Sequence, residues 1–306
     1  MLQHTISEEI SCTGIGLHTG QPVELKLRPA RENTGIVFIR EGRGHPVEIP
    51  ARPEYVTSTR LATTLGFGEA TVGTVEHLLS AFYALGVDNA YVSIDGPEIP
   101  VMDGSSASFV FLIRSAGRRQ QGQKRSKIRI KHEISVRDGA RSISVRPGEG
   151  LLVDYAIEYG HPTIGTQKID GFVVTPESFE KEICRARTFG FLHEVEALWK
   201  LGLAKGGTLE NTVVLDKERV LNGGGLRWTD EFVRHKVLDL LGDLALLGAP
   251  IEGHVSVSRG GHALHRMLLE ELMAAPDSWE LTGGAQTSRE CEIGEVVPSR
   301  DLPAPV

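Results

Sequence analysis

The chain has 306 residues, of which 40% are hydrophobic and 24% charged, as in an ordinary globular protein long enough for two domains. Its formal net charge of -7 argues against nucleic-acid binding, because a phosphate-binding surface is normally basic. The three cysteines, Cys12, Cys184 and Cys291, are too widely separated for a disulfide framework or a zinc finger, which favours a reducing compartment. No secretory signal and no run of roughly 20 apolar residues is present, so we expect a cytoplasmic protein without a transmembrane segment.

The first 60 residues alternate β-rich runs with turns. Val23–Pro29 and Gly35–Arg40 are predicted to be strands from their apolar pattern and composition. Between the opening strands lies a glycine-dense segment, Thr13–Gly20, which contains His18. Its Gly-x-Gly pattern is not followed by a helix, as a dinucleotide-binding loop requires. A strained turn and a ligand-binding loop both remain open for this segment, and its position forces no direct role on His18.

A helix is predicted after Gly73, with Thr74 as its cap and Gly86 at its end. The strand Ala90–Ile94 and the apolar helix Ala107–Arg114 follow.

Residues 117–125 are polar, basic and without periodicity, which predicts an exposed linker. We place the domain boundary there, with an N-terminal domain of residues 1–123 and a C-terminal domain of residues 124–306. The last residues, Glu290–Val306, contain three prolines and are expected to be weakly ordered.

The second half of the chain repeats the pattern of the first. A predicted helix, Phe232–Leu247, is followed by the strand His254–Ser258 and the helix His262–Met273. Alignment of the two halves, with one inserted residue, brings His77 into register with Asp239. We therefore predict an α+β fold with two similar domains, each a β-sheet packed on a helix pair, and an active site between them.

One helix carries polar residues in an otherwise apolar segment. His235, Asp239 and Asp243 occur at positions i, i+4 and i+8, so they lie along one face, and Gly242 beside them removes bulk. Buried charges need a partner, which could be a metal ion or a hydrogen-bonded seam between packed helices.

The repeat adds His77 to this face. Two histidines and one aspartate with an open fourth position are typical of catalytic zinc, although spacing alone does not distinguish zinc from iron(II). Glu76 lies about 100° around the helix from His77, where it could accept a proton from a metal-bound water. His262, at a helix start, is the candidate general acid, and Asp243 could hold its imidazole protonated.

Several motifs together resemble the UDP-3-O-acyl-N-acetylglucosamine deacetylase family, the zinc amidases of lipid A biosynthesis in Gram-negative bacteria. The resemblance extends from about Gln3 to Trp279. Its motifs are Thr13–Gly20, Val75–Leu78, Pro97–Ser105, Cys184–Phe191, Arg234–Asp243 and Ser258–Leu264.

This resemblance implies a role for each matching residue. The implied zinc ligands are His77, His235 and Asp239, and the implied acid–base residues are Glu76 as base and His262 as acid, oriented by Asp243. Thr188 matches a hydroxyl that stabilises the oxyanion, and Lys236 matches a lysine that meets the nucleotide sugar. Tyr159 falls where the family often has phenylalanine, and its ring could stack on uracil.

The family also carries an inserted β-α-β element that lines a passage for the fatty acyl chain. Here it corresponds to roughly residues 189–214. The positions expected on this passage are Leu17, Phe191, Leu192, Val195 and Ala204, and ordinary core packing is the alternative for each of them.

The resulting hypothesis is a monomeric enzyme that hydrolyses the acetamide of UDP-3-O-[(3R)-3-hydroxyacyl]-N-acetylglucosamine, the committed step of lipid A biosynthesis. One alternative is a metal-dependent deacetylase of another acylated amino sugar. A non-catalytic binding module with a structural polar seam is the other. The remaining histidines are expected to be unrelated to the chemistry: His4, His132, His161 and His193 on the surface or in loops, and His254 as a structural residue in a strand.

Overall fold

The computed structural model describes residues 1–41 and 45–284 and has an α+β fold, as the sequence predicts. Its strands are β1 (Leu2–Ile6), β2 (Ile10–Ile15), β3 (Pro22–Pro29), β4 (Ile36–Arg40), β5 (Val47–Pro50), β6 (Val56–Ser58), β7 (Thr64–Phe67), β8 (Ala70–Val72), β9 (Ala90–Ile94), β10 (Arg118–Lys124), β11 (Lys127–Ile130), β12 (Ile134–Asp138), β13 (Arg141–Arg146), β14 (Leu151–Glu158), β15 (Thr166–Val173), β16 (Phe189–Phe191), β17 (Val213–Leu215), β18 (Ile251–Ser258) and β19 (Trp279–Thr282).

Six helices accompany these strands. They are α1 (Glu76–Leu85), α2 (Ala107–Ala116), α3 (Pro176–Ser178), α4 (Leu192–Lys200), α5 (Glu231–Leu244) and α6 (His262–Ala274). A π-helical turn, Phe179–Ile183, continues α3, and 3-10 turns occur at Pro53–Tyr55, Ala245–Leu247 and Pro276–Ser278. No helix in the described part of the chain is long and apolar enough to cross a membrane.

The two main sheets share a pattern of strand pairing. The first has the order β2-β3-β9-β4-β5, in which β9 pairs antiparallel with β3 and parallel with β4. In the second, β12 pairs with β13, β18 lies between β13 (antiparallel) and β14 (parallel), and β15 pairs with β14. Strands β11 and β19 extend the second sheet. A helix precedes and another follows the central strand in each case, namely α1 and α2 around β9, and α5 and α6 around β18.

Helices α1 and α5 pack directly on each other, and this contact joins the two sheets into one core. A Cβ atom added to Gly242 would lie 2.1 Å from the carbonyl oxygen of Glu76, so only glycine permits this approach. The absence of a side chain at Gly242 therefore lets the backbone of α1 approach α5 closely. This close contact fixes His77 and Asp239, one on each helix, relative to one another.

Most elements predicted from periodicity are present, but two predictions are wrong. Thr74 does not cap α1, because it adopts a left-handed conformation (φ 56°) and Val75 occupies the capping position. The stretch 117–125 is not a linker, since β10 runs through it and pairs antiparallel with β1. Six of the seven residues of β10 are exposed, so this surface ribbon has no apolar periodicity to reveal it.

The segment between Thr188 and Asp216 contains β16, α4 and β17, and the two strands pair in parallel. The domain boundaries proposed from the sequence stay predictions. So does the internal repeat that relates the two domains. Both described cysteines, Cys12 and Cys184, are free, whereas Cys291 and the tail Glu290–Val306 lie outside the described residues.

Candidate active site

The predicted ligand residues converge at the contact between α1 and α5. His77 comes from the first turn of α1, and His235 and Asp239 come from successive turns of α5. One donor atom from each lies within 4.8 Å of the others. Nε2 of His235 and Nε2 of His77 are 3.3 and 3.8 Å from Oδ1 of Asp239. All three side chains are buried, and their donor atoms face one another.

The donor set fits a metal ion. Oδ1 of Asp239 is buried and has no hydrogen-bond partner among the described residues, which is costly unless something else meets it. Nδ1 of His235 lies 3.1 Å from the carbonyl oxygen of Ala186, and donation of its proton there leaves Nε2 free. Burial and the neighbouring His235 lower the pKa of His77 to about 3, so its ring is a neutral donor.

The charge at Asp239 is balanced on its second oxygen. Nζ of Lys236 donates to Oδ2 of Asp239 at 2.8 Å. Burial alone would raise the pKa of Asp239, but the neighbouring His235 and Lys236 hold it well below its ordinary range. The carboxylate is therefore ionised at all physiological pH values. Burial would likewise lower the pKa of Lys236, and Asp239 raises it above the ordinary lysine value.

Glu76 lies beside this cluster, at the start of α1. Burial raises the pKa of Glu76 to about 7, because the opposing attraction of His262 is smaller. Its Oε2 accepts a hydrogen bond from the backbone N–H of Thr63 (3.1 Å), and its Oε1 lies 3.7 Å from Nε2 of His262. A carboxyl group with a pKa near neutrality can accept and release protons, as a general base requires.

His262 and Asp243 form a close pair. Nδ1 of His262 donates to Oδ2 of Asp243 at 2.8 Å, so Nε2 of the same ring faces Glu76 and Asp239. Burial alone would lower the pKa of His262, but Asp243 and Glu76 raise it to about 9. The imidazole is therefore protonated at neutral pH. The sequence analysis expected Asp243 to hold this imidazole protonated, and the pKa of His262 is shifted in that direction.

Three further residues complete this polar cluster, and sequence reasoning missed all of them. Thr63 donates its hydroxyl proton to Oδ1 of Asp243 at 2.6 Å. Nδ1 of His265 lies 2.7 Å from Oδ2 of Asp243, and its Nε2 lies 3.1 Å from the hydroxyl of Tyr155. His265 follows His262 by three positions on α6, so helical spacing could have placed it on the same face.

A cavity of about 300 Å³ opens above the donor atoms. Its lining includes the ligand set, Glu76 and His262. Five residues that the sequence assigns to the oxyanion or the substrate line it as well, namely Thr188, Lys236, Tyr159, Phe191 and Leu17. The ring of Tyr159 packs on Phe189 with centroids 5.7 Å apart, and it also contacts the ring of Phe191.

Thr188 is held by its backbone. Its N–H donates to the carbonyl oxygen of Gly104, and its own carbonyl accepts from Val213, both at 2.8 Å. The preceding residue, Arg187, makes a buried ion pair with Glu231 at the start of α5 (2.8 Å). The loop that carries Thr188 is thereby tied to the helix that carries His235.

A second cavity of about 410 Å³ continues from the first along α4. All five positions expected on an acyl passage line it, namely Leu17, Phe191, Leu192, Val195 and Ala204. Leu198, Trp199 and Leu209 line it as well and were not anticipated from the sequence. Trp199 donates its indole N–H to the carbonyl oxygen of Ala204 at 3.1 Å, which links α4 to the loop that follows it.

The glycine-dense segment Thr13–Gly20 forms a turn around a buried carboxylate. Glu98 accepts hydrogen bonds from the backbone N–H groups of His18 and Thr19 and from the hydroxyl of Thr19 (2.7–3.1 Å). A Cβ on Gly16 would lie 2.0 Å from Oε1 of Glu98, which explains the glycine. The turn presents Leu17 and His18 to both cavities.

None of the five histidines expected to be unrelated to the chemistry belongs to a cluster of potential metal ligands in the described residues. His161 and His193 do line the cavity beside Tyr159. His254 is in β18, where its Nε2 meets Asp154 at 2.7 Å. His161 is in a loop but is buried rather than exposed, because its ring bridges to the backbone of Asp216 and Thr163.

Comparison with known proteins gives one consistent result. The family model described as UDP-3-O-acyl N-acetylglycosamine deacetylase (LpxC) matches residues 3–274. Proteins named UDP-3-O-acyl-N-acetylglucosamine deacetylase are similar over nearly the whole chain. The relative from Acidithiobacillus ferrooxidans is 51% identical over 288 residues, 93% of this chain and 94% of its own. The one from Teredinibacter turnerae is 49% identical, with 91% and 92% covered. This chain belongs to the UDP-3-O-acyl N-acetylglycosamine deacetylase family.

Proposed function

We propose that the buried cluster at the α1–α5 contact is the metal centre of a deacetylase acting on UDP-3-O-[(3R)-3-hydroxyacyl]-N-acetylglucosamine. The chain is an enzyme of the deacetylase family and functions in lipid A biosynthesis. The observation that carries the proposal is Oδ1 of Asp239, which has no hydrogen-bond partner among the described residues and lies 3.3 and 3.8 Å from Nε2 of His235 and Nε2 of His77. The same carboxylate is close to Glu76 and His262. The reaction hydrolyses the acetamide and gives acetate and a free amine.

We assign zinc to this centre, held by His77, His235 and Asp239. Two neutral imidazoles and one carboxylate with an open position are a catalytic zinc set, and iron(II) is the alternative ion for the same donors. When bound, the ion supplies a Lewis acid that acidifies water and polarises the amide carbonyl.

Glu76 is the general base in this proposal. Its carboxylate takes a proton from the attacking water. Its pKa of about 7 supports this role, since such a group is a competent acceptor at neutral pH and can pass the proton on. The hydrogen bond from Thr63 to Oε2 of Glu76 leaves Oε1 directed at the cavity and at His262.

His262 is the general acid. It carries a proton at neutral pH because Asp243 raises its pKa, and Nε2 is the atom that faces the cavity. The Nδ1–H bond to Asp243 fixes the ring, so Nε2 can donate its proton to the departing amine. Glu76 thus accepts a proton from the attacking water, and His262 donates a proton to the departing amine, in the cleavage of one amide bond.

Thr188 and Lys236 are assigned to substrate. The hydroxyl of Thr188 donates to the oxyanion that develops as the carbonyl is attacked, and its doubly held backbone supports this preorganised role. The ammonium of Lys236 lines the same cavity and is positioned to meet the nucleotide-sugar part of the substrate.

The acyl chain occupies the second cavity and the uracil lies on Tyr159. The lining of the second cavity by Leu17, Phe191, Leu192, Val195 and Ala204 supports burial of an apolar chain there. Tyr159 borders a further cavity of about 330 Å³ next to the first, which provides room for a base against its ring.

The molecule is proposed to be a cytoplasmic monomer with two similar domains, 1–123 and 124–306, from an internal repeat, and an insert near residues 189–214. The repeated pairing order around β9 and β18 supports the internal repeat.

Acetate release from the UDP-linked, 3-O-acylated substrate tests the proposed function. We expect turnover with this compound and a large loss when either the UDP group or the acyl chain is removed. Equal turnover of an acylated amino sugar without UDP would favour a deacetylase of another substrate. A protein that has neither turnover nor stoichiometric metal would instead be a binding module.

A further inference from the structure

Asp243 receives hydrogen bonds from more groups than the orientation of His262 requires. Its Oδ2 meets two imidazoles, Nδ1 of His262 at 2.8 Å and Nδ1 of His265 at 2.7 Å. Its Oδ1 accepts from the hydroxyl of Thr63 at 2.6 Å. Both oxygens are thereby fixed in direction by three side chains, two from α6 and one from the loop before β7.

The protonation of His265 is determined by its partners. Tyr155 is fully buried and its pKa is raised well above the ordinary value by burial, so its hydroxyl keeps its proton. That hydroxyl lies 3.1 Å from Nε2 of His265 and can donate to it. The ionised Asp243 can only accept, so Nδ1 of His265 must carry the proton on that side. Burial lowers the pKa of His265, so the ring is neutral and its one proton is on Nδ1, directed at Asp243. Among the described residues, the charged or titratable groups that act on this ring are Asp243, His262, Asp239 and Tyr155.

We propose that His265, fixed by Tyr155, is a positioning residue for the acid–base step and acts on His262 only through Asp243. A hydrogen bond from His265 prevents rotation of the Asp243 carboxylate, so Oδ2 remains opposite Nδ1 of His262. That contact in turn keeps Nε2 of His262 directed into the cavity. Because His265 stays neutral, it orients the pair without adding a positive charge that would compete with the imidazolium of His262.

Thr63 extends the same arrangement to the base. Its hydroxyl holds Oδ1 of Asp243, and its backbone N–H holds Oε2 of Glu76 at 3.1 Å. Asp243, the partner of the general acid, and Glu76, the base, are therefore both hydrogen-bonded to Thr63 in the loop before β7. This attachment sets the spacing between Glu76 and His262, whose facing atoms are 3.7 Å apart.

The inference rests on the proposed function, and a double-mutant cycle with His265→Leu and Asp243→Ala tests it. We expect His265→Leu to lower kcat on the order of 10-fold, the lower end of the effect of removing a group that orients a catalytic residue. KM and bound metal are expected to change by less than about twofold, because neither substrate nor metal donors are touched. In the Asp243→Ala background, His265→Leu should change kcat by less than about twofold, since the partner through which it acts is gone.

Two further variants separate positioning from packing. His265→Asn keeps an N–H donor for Asp243 and should recover most of kcat, whereas Leu268→Ala on the same helix removes buried apolar volume and should leave kcat unchanged. Unchanged kcat in His265→Leu would overturn the inference, and so would an equal loss in both backgrounds or a loss that follows metal content. Absence of deacetylation by the unsubstituted chain would contradict the proposed function instead.

Discussion

The polar end of the site, which comprises the metal-ligand set, Glu76 and His262, is built by buried helices. The acyl passage runs along an exposed helix. Nine of the ten residues of α1 and twelve of the fourteen residues of α5 are buried, whereas none of the nine described residues of α4 is. Donors at the polar end are therefore held by a backbone contact at Gly242 and by a continuous set of hydrogen bonds. One side of the acyl passage is lined by side chains of the exposed helix α4, and the other side by the rest of the protein.

This difference follows from what each end must bind. Buried charged groups are stable only with fixed partners, so their geometry is closely determined. An acyl chain needs only apolar surface, and apolar contact has no preferred direction. We therefore expect substitutions at the polar end to affect metal and kcat, and substitutions on α4 to affect KM alone.

The largest effect is expected for His235→Ala, which removes one of three donors. This variant should lose both its metal and its activity, because two remaining protein donors do not hold a catalytic ion tightly. Metal content by elemental analysis and acetate release measure the two losses. His254→Ala is the matched control, since it removes a histidine that lies on another part of the molecule, and it should lose neither. Full activity with metal retained in His235→Ala would show that the donor assignment is wrong.

Glu76→Ala is expected to separate metal from turnover. The variant should retain its metal, because Glu76 is not a donor, and lose about 10²- to 10⁴-fold in kcat with the general base. Metal content and kcat are measured on the same preparation. Retained turnover would remove Glu76 from the mechanism, and loss of metal would make it a ligand.

Asp243→Asn should lower kcat on the order of 10- to 100-fold and change its pH dependence. His262 acts as an acid only while protonated, so the rate falls as pH rises through its pKa. Because Asp243 raises the pKa of His262, its neutralisation lowers that pKa, and the alkaline limb moves to lower pH. An alkaline limb that stays in place would mean that it reports another group.

Gly242→Ala tests the backbone contact that fixes the polar end. The added methyl group overlaps the Glu76 carbonyl, so α1 and α5 must separate, and the free energy of unfolding should fall by roughly 1–3 kcal/mol. We expect a parallel loss of metal affinity. Gly224→Ala is the control, because no heavy atom of the described residues lies within 4 Å of its added Cβ. Equal stability of the two variants would contradict the account of this contact.

The smallest effect is expected on α4. Val195→Ser removes apolar surface from the passage and should raise KM for a long-chain substrate about fivefold, less than a fully buried side chain would give. Kinetics with a short-chain substrate and metal content should not change. Glu196→Ala, on the same helix and off the passage, is the control. A loss of kcat with every chain length would place Val195 in the catalytic end of the site.

The sequence predicted the polar end better than the loops around it. His235, Asp239 and Asp243 follow from helical spacing, and the internal alignment added His77, because regular helices preserve the positions of side chains. Thr63 could not be found this way. It lies in a loop 180 residues from Asp243 in the chain, and the hydrogen bond between them exists only after the two halves have packed.

The two wrong predictions have different causes. Thr74 is chemically a suitable cap, yet its positive φ turns the chain and gives that position to Val75. β10 has no buried face, so its pairing with β1 leaves no trace in the hydrophobic pattern. The first error comes from the backbone conformation at one residue, and the second from a tertiary pairing that the local sequence does not reveal.

Removal of the metal with a chelator and its stepwise return, with acetate release from the UDP-linked substrate measured at each step, tests the central claim most directly. We predict that activity disappears on chelation and returns in proportion to added zinc, up to one ion per chain. Glu76→Ala should take up the same single ion without recovering turnover. Full activity of the metal-free protein, or recovery only with two ions, would contradict a single centre at His77, His235 and Asp239.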